Sequence, residues 1–124
     1  NVSIMFPNKP DHIFVYWATY SFVGELLKYG AKAYIYDDGF IHSKGIIVDD
    51  FLASFGTCNF DIRSFKLNFE VNAFIYDRIT ATQLRTTFEN DIKVSRELTL
   101  NDYNKRSLII KIKEAFSRLF SPVL

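Results

Sequence analysis

The sequence predicts an α/β domain in which a mixed β-sheet is flanked by helices. Apolar residues make up 48% of the 124 residues and aromatic residues 17%, which is enough for one hydrophobic core in a chain of this length. Short β-type runs follow one another in the first two thirds of the chain, and longer segments with helical spacing lie before and after them. Strands and helices mixed in this way are typical of a sheet covered by helices, and we expect residues 1–124 to form a single domain.

The amino-terminal third predicts two strands with a helix between them. Residues 2–6 form a β-type run that ends at Pro7, and residues 33–36 form a second run. Pro10 suits a first helical turn and Gly30 suits the end of a helix, so we expect a helix over residues 11–29. Its broad apolar stripe indicates that most of it is buried.

Three further strands are expected in the middle of the chain. Residues 40–48 and 51–55 are β-type runs on either side of a turn at Asp49 and Asp50, and residues 67–76 form the fifth run. Residues 56–64 are rich in turn formers, which predicts an ordered loop.

The carboxy-terminal third predicts two helices. Leu84, Phe88 and Ile92 are spaced four residues apart, which indicates a helix over residues 79–96. Residues 104–124 form a basic amphipathic helix. The interpretation that we favour is that its apolar face packs on the core of its own domain. The alternative is contact with an anionic membrane surface, and each could hold for a different end of the helix.

Charge and composition exclude several function classes. The formal net charge is +1, which argues against a nucleic-acid partner held by a broad basic face. Cys58 is the single cysteine, so no internal disulfide can form, and we expect it to be a packing residue. His12 and His42 lack cysteine partners at zinc-like spacing, and no metal or other cofactor is expected. The longest apolar run, residues 13–23, is shorter than the roughly 20 residues of a membrane span.

The candidate site begins with a histidine and a lysine on the third predicted strand. His42, Lys44 and Asp49 follow the pattern H-x-K-x-x-x-x-D, and Asn59 and Glu70 follow His42 by 17 and 28 residues. Side chains two apart on a strand project from the same side, so His42 and Lys44 should act together. An imidazole that can attack or protonate, beside an ammonium that can hold a phosphate oxygen, suits phosphoryl-type transfer.

The other motif residues have distinct expected roles. Thr57 and Asn59 supply a hydroxyl and an amide, which with Lys44 could bind phosphate. Glu70, on a neighbouring predicted strand, should accept the other ring N–H of His42 and fix its tautomer. Asp49 belongs to the catalytic motif, but its odd offset from His42 would send it to the opposite face of a strand. We therefore expect Asp49 to be structural, either closing a turn or pairing with a buried cation.

This set of residues resembles the phospholipase D superfamily, whose signature is H-x-K-x-x-x-x-D followed by a G-[ST]-x-N loop, here residues 56–59. Within the superfamily the chain is similar to bacterial cardiolipin synthases, because residues 7–12, 15–20, 61–70 and 121–122 also resemble that family. The resemblance implies that the chain is the carboxy-terminal catalytic half of such an enzyme, with a phospholipase D-like half-domain fold.

The resemblance also implies an activity. Two phosphatidylglycerol molecules would give cardiolipin and glycerol without a metal, at the cytoplasmic side of the bacterial cell membrane. Superfamily members use two histidines, of which one forms a phosphohistidine and the other exchanges protons with the alcohols. His42 would be the acid–base histidine, Lys44 and Asn59 would bind phosphate, and Glu70 would orient His42.

The chain departs from the family in having one copy of the motif. The resemblance implies that the amino-terminal half of the enzyme and its membrane helices are missing, and half a site should not turn over unless a homodimer brings two His42 residues together. Two alternatives stay open. A homodimeric phosphodiesterase or nuclease is disfavoured by the near-neutral charge, and a non-catalytic lipid-binding module is disfavoured by the complete set of motif residues.

Overall fold

The structure is a computed structural model that describes residues 1–9 and 13–121. Several positions from the sequence analysis lie outside the described residues. They include Asp11, where the first helix was predicted to start, His12, and Val123 near the end of the predicted carboxy-terminal helix. Among the described elements, no helix is both long enough and apolar enough to cross a membrane. In chain order the elements are β1 Ser3–Pro7, α1 Ile13–Lys28, β2 Lys32–Tyr36, β3 Gly45–Val48, β4 Leu52–Gly56, α2 Ile62–Lys66, β5 Asn72–Tyr76, α3 Arg78–Lys93, β6 Ser95–Leu98, α4 Leu100–Asn104 and α5 Leu108–Phe120.

The chain divides into two compact units, unit 1 with residues 1–41 and 95–124 and unit 2 with residues 42–94. Each unit contains a three-stranded sheet, in the order β1-β2-β6 in unit 1 and β3-β4-β5 in unit 2. The predicted class, an α/β fold with mixed strands flanked by helices, is confirmed. The grouping of residues 1–124 into a single domain stays a prediction.

Unit 1 contains the mixed sheet. β1 runs parallel to β2, with Phe6 opposite Ile35, and β6 runs antiparallel on the other side of β2. The parallel pair needs a crossover connection, and α1 provides it. The buried core of this unit consists of Phe6, Val23, Leu27, Ala33, Ile35, Leu98 and Tyr103.

Strand β6 corrects the prediction of one helix over residues 79–96. Helix α3 ends at Lys93, and the next four residues pair with β2, with Arg96 opposite Ile35 and Leu98 opposite Ala33. Leu98 is the buried residue of this strand. The helix therefore stops where a distant strand offers hydrogen bonds and a core position for Leu98.

Helix α5 packs against α1 through its polar face. Glu114 and Ser117 are buried, Oε1 of Glu114 accepts from Nε of Arg106 at 2.6 Å, and Arg118 donates to Glu25 of α1 at 2.5 Å. The interpretation that the apolar face packs on the core is therefore wrong, because these ion pairs hold the polar face inward. The apolar side chains are exposed instead: Leu108, Ile109, Ile112, Phe116, Leu119 and Phe120.

Unit 2 is an antiparallel meander of β3, β4 and β5 that contacts α3. Asp49 and Asp50 form the turn between β3 and β4, both with positive φ values, 47° and 55°, as a type I′ turn requires at its two central residues. Asp50 also forms an ion pair with Arg85 of α3. Asp49 thus closes a turn, which was one of the two structural roles expected for it.

Strand β3 is shorter than predicted, because it begins at Gly45 and not at residue 40. The carbonyl of Lys44 accepts from the N–H of Gly56 at 3.3 Å, whereas the N–H of the next residue, Thr57, donates to Val71 on the β5 side. The ladder with β3 ends where this neighbouring chain turns away. The prediction that His42 and Lys44 lie on a strand is therefore wrong.

Strand β5 also begins later than predicted, at Asn72. The N–H groups of Leu67 and Asn68 both donate to the carbonyl of Arg63, at 2.9 and 3.0 Å, and so complete the end of α2. Glu70 consequently lies in the loop before β5 and not on a strand. The predicted loop over residues 56–64 is wrong at its end, because α2 begins at Ile62.

Candidate active site

Three chain segments meet at one end of the unit 2 sheet. The first ends at Lys44 before β3, the second is the loop of residues 57–59 after β4, and the third contains Glu70 before β5. In an antiparallel sheet the start of one strand lies beside the end of its neighbour, and the register pairs Gly45 with Phe55 and Gly56 with Asn72. Asp49 lies at the opposite end of the β3–β4 hairpin.

Glu70 is the centre of a hydrogen-bond network at this end. Its Oε1 accepts from Oγ of Ser64 and from Nδ2 of Asn68, both at 3.1 Å. The hydroxyl of Thr57 lowers the pKa of Glu70 most, followed by the amide of Asn68, and the hydroxyl of Ser64 and the positive charge of Lys44 add to the effect. The carboxylate is therefore held in its ionised form.

Lys44 contacts the backbone of His42, and its positive charge acts on the Glu70 carboxylate. Its Nζ donates to the main-chain carbonyl of His42 at 2.8 Å, and its charge contributes to the lowered pKa of Glu70. An ammonium group has three N–H donors, so two remain for an anionic ligand. His42 itself is exposed, which leaves its imidazole accessible to a substrate.

The loop of residues 57–59 is fixed to the start of β5 by backbone and side-chain hydrogen bonds. Thr57 donates its N–H to the carbonyl of Val71, and its Oγ1 accepts the N–H of Val71, each at 3.0 Å. The N–H of Cys58 donates to Oδ1 of Asn72 at 3.1 Å. Asn59 is exposed at the end of this anchored segment, where a side-chain amide can meet a ligand.

The residue before this loop is Gly56, and the structure leaves no room for a side chain at its position. A Cβ atom at this position would lie 2.0 Å from the carbonyl oxygen of Val71 and 2.6 Å from Cα of Asn72. Both neighbours are backbone atoms that cannot rotate away. The close approach of the two chains thus explains why the loop motif begins with glycine.

Sequence reasoning missed three residues that support the site. Ser64 and Asn68 hold Glu70, and Asn72 joins Cys58 to Ser54, whose Oγ accepts from its Nδ2 at 3.2 Å. A signal for Ser64 was present, since Asp61 three residues earlier is an N-cap that accepts the N–H of Ser64 at 2.7 Å. Asn72 stands in a β-type run where a side-chain amide is unusual.

The site consists of groups suited to proton transfer and anion binding. It offers an imidazole, an ammonium, an ionised carboxylate and an amide, all in unit 2. Within residues 1–9 and 13–121, no group of three His, Cys, Asp or Glu side chains is placed to hold a metal ion. Such a set can hold a phosphate oxygen and exchange a proton with an alcohol.

An α/β chain that carries H-x-K-x-x-x-x-D and G-T-x-N motifs, with the His and Lys of the first motif and the loop of the second at one end of a sheet, has the features of the phospholipase D-like class. A family model described as "Cardiolipin synthase, PLD-like domain" matches residues 1–92. The chain belongs to this family of phospholipase D-like cardiolipin synthase domains.

Curated relatives match over the whole chain. It is 62% identical over 124 residues to the major cardiolipin synthase ClsA of Bacillus subtilis, of which it covers 26%. It is 56% identical to cardiolipin synthase 2 of Staphylococcus epidermidis, covering 25% of that protein, and 53% identical to the cardiolipin synthase of Oceanobacillus iheyensis, covering 26%. In each comparison all of this chain is aligned, so it spans about a quarter of the length of these relatives.

Proposed function

We propose that the full-length protein carrying this chain makes cardiolipin from two phosphatidylglycerol molecules and releases glycerol. The observation that carries the proposal is the meeting of the His42–Lys44 segment, the loop of residues 57–59 and Glu70 at one end of a sheet. The names of the bacterial relatives support the same reaction. Those names give cardiolipin as the product, and phosphatidylglycerol as the substrate follows from the family that the sequence resembles.

In the proposed reaction His42 is the proton carrier. A second histidine, outside this chain, attacks the phosphorus of one phosphatidylglycerol, so that a P–N bond forms and the P–O bond to glycerol breaks. His42 gives its proton to the departing glycerol oxygen. It then takes the proton of the acceptor hydroxyl of a second phosphatidylglycerol, whose oxygen displaces the histidine from phosphorus. The acid and base duties of His42 therefore alternate within one turnover.

The remaining residues hold the phosphate and the histidine. Lys44 and Asn59 donate to the phosphate oxygens as charge moves between them, and Glu70 orients His42. The hydroxyl of Thr57 accepts the N–H of Val71 and lowers the pKa of Glu70, so we assign it mainly to the support of Glu70. Asp49 keeps the hairpin closed at a distance from the reaction.

Two exposed aromatic side chains beside the site favour a lipid substrate. Phe60 follows Asn59 and is 82% exposed, and Phe69 precedes Glu70 and is fully exposed. The ring of Phe60 meets that of Phe65 edge-on, with centroids 5.4 Å apart. Apolar surface next to a phosphate-binding group suits acyl chains beside a headgroup. We place the reaction at the anionic surface of the bacterial cell membrane, on its cytoplasmic side.

The second histidine is proposed to come from the remainder of the enzyme. The chain covers 26% of the Bacillus subtilis relative, so most of that protein has no counterpart here. On this proposal the 124-residue chain has no activity by itself. Light scattering after size exclusion, with an assay of each fraction, tests it. An active dimer of this chain would instead support the homodimeric alternative.

The central experiment measures cardiolipin formation from phosphatidylglycerol vesicles by the full-length protein. His42→Ala should reduce the rate by about 10²-fold or more, as expected when a general acid–base group is removed. Ser43→Ala, at an exposed neighbouring position, is the matched control and should retain the rate. Unchanged cardiolipin formation in the His42→Ala protein would reject the role given to His42.

A further inference from the structure

The outward face of α5 is a continuous apolar stripe. We call it the α5 stripe, and it belongs to unit 1, away from the chemistry of unit 2 in the chain. The opposite side of the helix faces the interior of unit 1, where Glu114 and Ser117 are buried. The exposed fractions of the stripe residues are Leu108 72%, Ile109 66%, Ile112 61%, Phe116 56%, Leu119 75% and Phe120 43%.

Lysine residues border the α5 stripe on both sides. With about 3.6 residues per turn, Lys111 falls at one edge of the stripe and Lys113 at the other. Both are exposed, and Nζ of Lys113 lies 5.5 Å from the ring centroid of Trp17 on α1. The two edges of the stripe therefore carry charge of one sign.

The two arginine residues of this region are paired within unit 1. Arg106 pairs with Glu114, the one acidic residue of α5, at 2.6 Å, and Arg118 pairs with Glu25 at 2.5 Å. The pairing reduces the contribution of both arginine residues to the net charge, and no exposed carboxylate on α5 opposes Lys111 and Lys113. The helix thus presents an apolar centre between cationic borders.

We propose that the α5 stripe lies in the interfacial layer of an anionic bilayer, with Lys111 and Lys113 reaching the lipid phosphates. A helix of 13 residues is about 20 Å long, shorter than the roughly 30 Å hydrocarbon core, so it lies along the surface. Its stripe then enters the acyl boundary while the lysine side chains extend to the headgroups.

The borders favour a lipid surface over a second copy of this chain. A plane of anionic headgroups offers the same sign of charge to both edges of the stripe at once. A second copy of this chain would bring the lysine borders of two stripes together, and like charges oppose such an interface. The inference depends on unit 1 alone and stands whether or not the reaction proposed for His42 is correct.

Vesicle sedimentation of the purified chain tests the inference. Vesicles of phosphatidylglycerol should bind the chain, and vesicles of phosphatidylcholine should bind it much more weakly. Lys111→Ala with Lys113→Ala should weaken binding to the anionic vesicles by about 30-fold, at about fivefold per lysine. The control is Lys28→Ala with Lys32→Ala, two exposed lysine residues of unit 1 outside α5, and it should bind as the unaltered chain does.

A second pair of variants tests the apolar contribution. Ile112→Glu, in the α5 stripe, should lose about tenfold or more of the vesicle affinity. Ile79→Glu, which changes an isoleucine of α3 that is 71% exposed, should retain it. Trp17 fluorescence and circular dichroism verify that each variant is folded. Binding that is unaffected by Ile112→Glu, or equal on both kinds of vesicle, would overturn the inference, as would a dimer that Ile112→Glu converts to a monomer.

The outcome is separable from that of the catalytic proposal. His42→Ala should bind vesicles like the unaltered chain, because the site lies in unit 2. In the full-length protein, Ile112→Glu should lower the rate on vesicles and retain the rate on short-chain phosphatidylglycerol dispersed in detergent. Loss of both rates would overturn the surface role of α5, whatever the result for His42.

Discussion

The hydroxyl of Ser64 donates to Oε1 of Glu70 at 3.1 Å, and the serine is itself buried at the first turn of α2. Asp61 caps that helix and accepts the N–H of Ser64 at 2.7 Å. Arg63 in turn donates from Nε to Oδ1 of Asn68, which directs Nδ2 of Asn68 to the same carboxylate. A five-residue helix thus positions two of the donors that keep Glu70 ionised.

The first prediction concerns acid stability. The pKa of Glu70 is below its ordinary value of 4.5 in the folded chain, so ionisation of this group favours folding. That contribution is complete above about pH 4.5 and is lost as the pH falls through the folded-state pKa. Urea unfolding of Glu70→Gln followed by circular dichroism should show a weaker loss of stability on acidification than the unaltered chain.

Glu97→Gln provides the control for removing one exposed carboxylate, since Glu97 lies on β6 in unit 1. Parallel acid profiles for the unaltered chain and Glu70→Gln would contradict the assignment. Full-length Glu70→Gln should also alter the pH dependence of kcat, because Glu70 is proposed to set the tautomer of His42.

The second prediction concerns the positive charge of Lys44, which is expected to act on the substrate and on Glu70. Lys44→Ala should reduce kcat/KM of the full-length protein by about 10²- to 10³-fold, as is common when one donor to a developing oxyanion is removed. Lys66→Ala, at an exposed lysine of α2, should have little effect. In the same Lys44→Ala chain the pKa of Glu70 should rise, because a positive charge that lowers it is gone. NMR titration of the Glu70 carboxyl group measures this pKa. An unchanged pKa in Lys44→Ala would show that the charge of Lys44 does not act on Glu70.

How far the sequence predicted this site depends on the range of each interaction. Helical periodicity located α3 and α5 to within a few residues, since it arises from contacts within one element. The residues of the site were found from their spacing, but the expectation that His42 lies on the third strand and Glu70 on the fifth was wrong. Antiparallel pairing between β3, β4 and β5 sets where each ladder stops, and that depends on residues far apart in the chain.

Two larger errors have the same physical origin. Strand β6 contains Arg96 and Glu97, which favour no strand by themselves, and it exists because β2 offers it a partner. The orientation predicted for α5 was wrong because it assumed that the apolar side chains face inward. Glu114 reversed it, because a buried carboxylate with an arginine partner fixes the polar face toward α1.

The third prediction concerns space at Gly56. Gly56→Ala should lower the free energy of unfolding by about 1–3 kcal/mol, as overpacking typically does, because the new Cβ would overlap the backbone of Val71. It should also lower the activity of the full-length protein by displacing Asn59. Ser43→Ala, at an exposed position of the same unit, is the control and should leave the free energy of unfolding nearly unchanged. Equal stability of the two variants would contradict the packing argument.

The fourth prediction compares two ion pairs of unit 1. The Arg106 and Glu114 side chains are 14% and 4% exposed, whereas those of Arg118 and Glu25 are 40% and 48% exposed. Removing one partner of a buried pair leaves an uncompensated charge, so Glu114→Ala should cost about 3–5 kcal/mol of unfolding free energy. Glu25→Ala breaks a solvent-screened pair and should cost less than about 1 kcal/mol. Urea unfolding followed by Trp17 fluorescence measures both in the same unit.

The buried pair also allows a stricter test. If the cost of Glu114→Ala comes from the stranded guanidinium of Arg106, then replacing Arg106 by methionine in the same chain should restore part of the lost stability. If the cost comes only from lost packing of the Glu114 side chain, the second change should lower stability further. The sign of this coupling therefore decides whether charge burial at Glu114 is what holds the polar face of α5 inward.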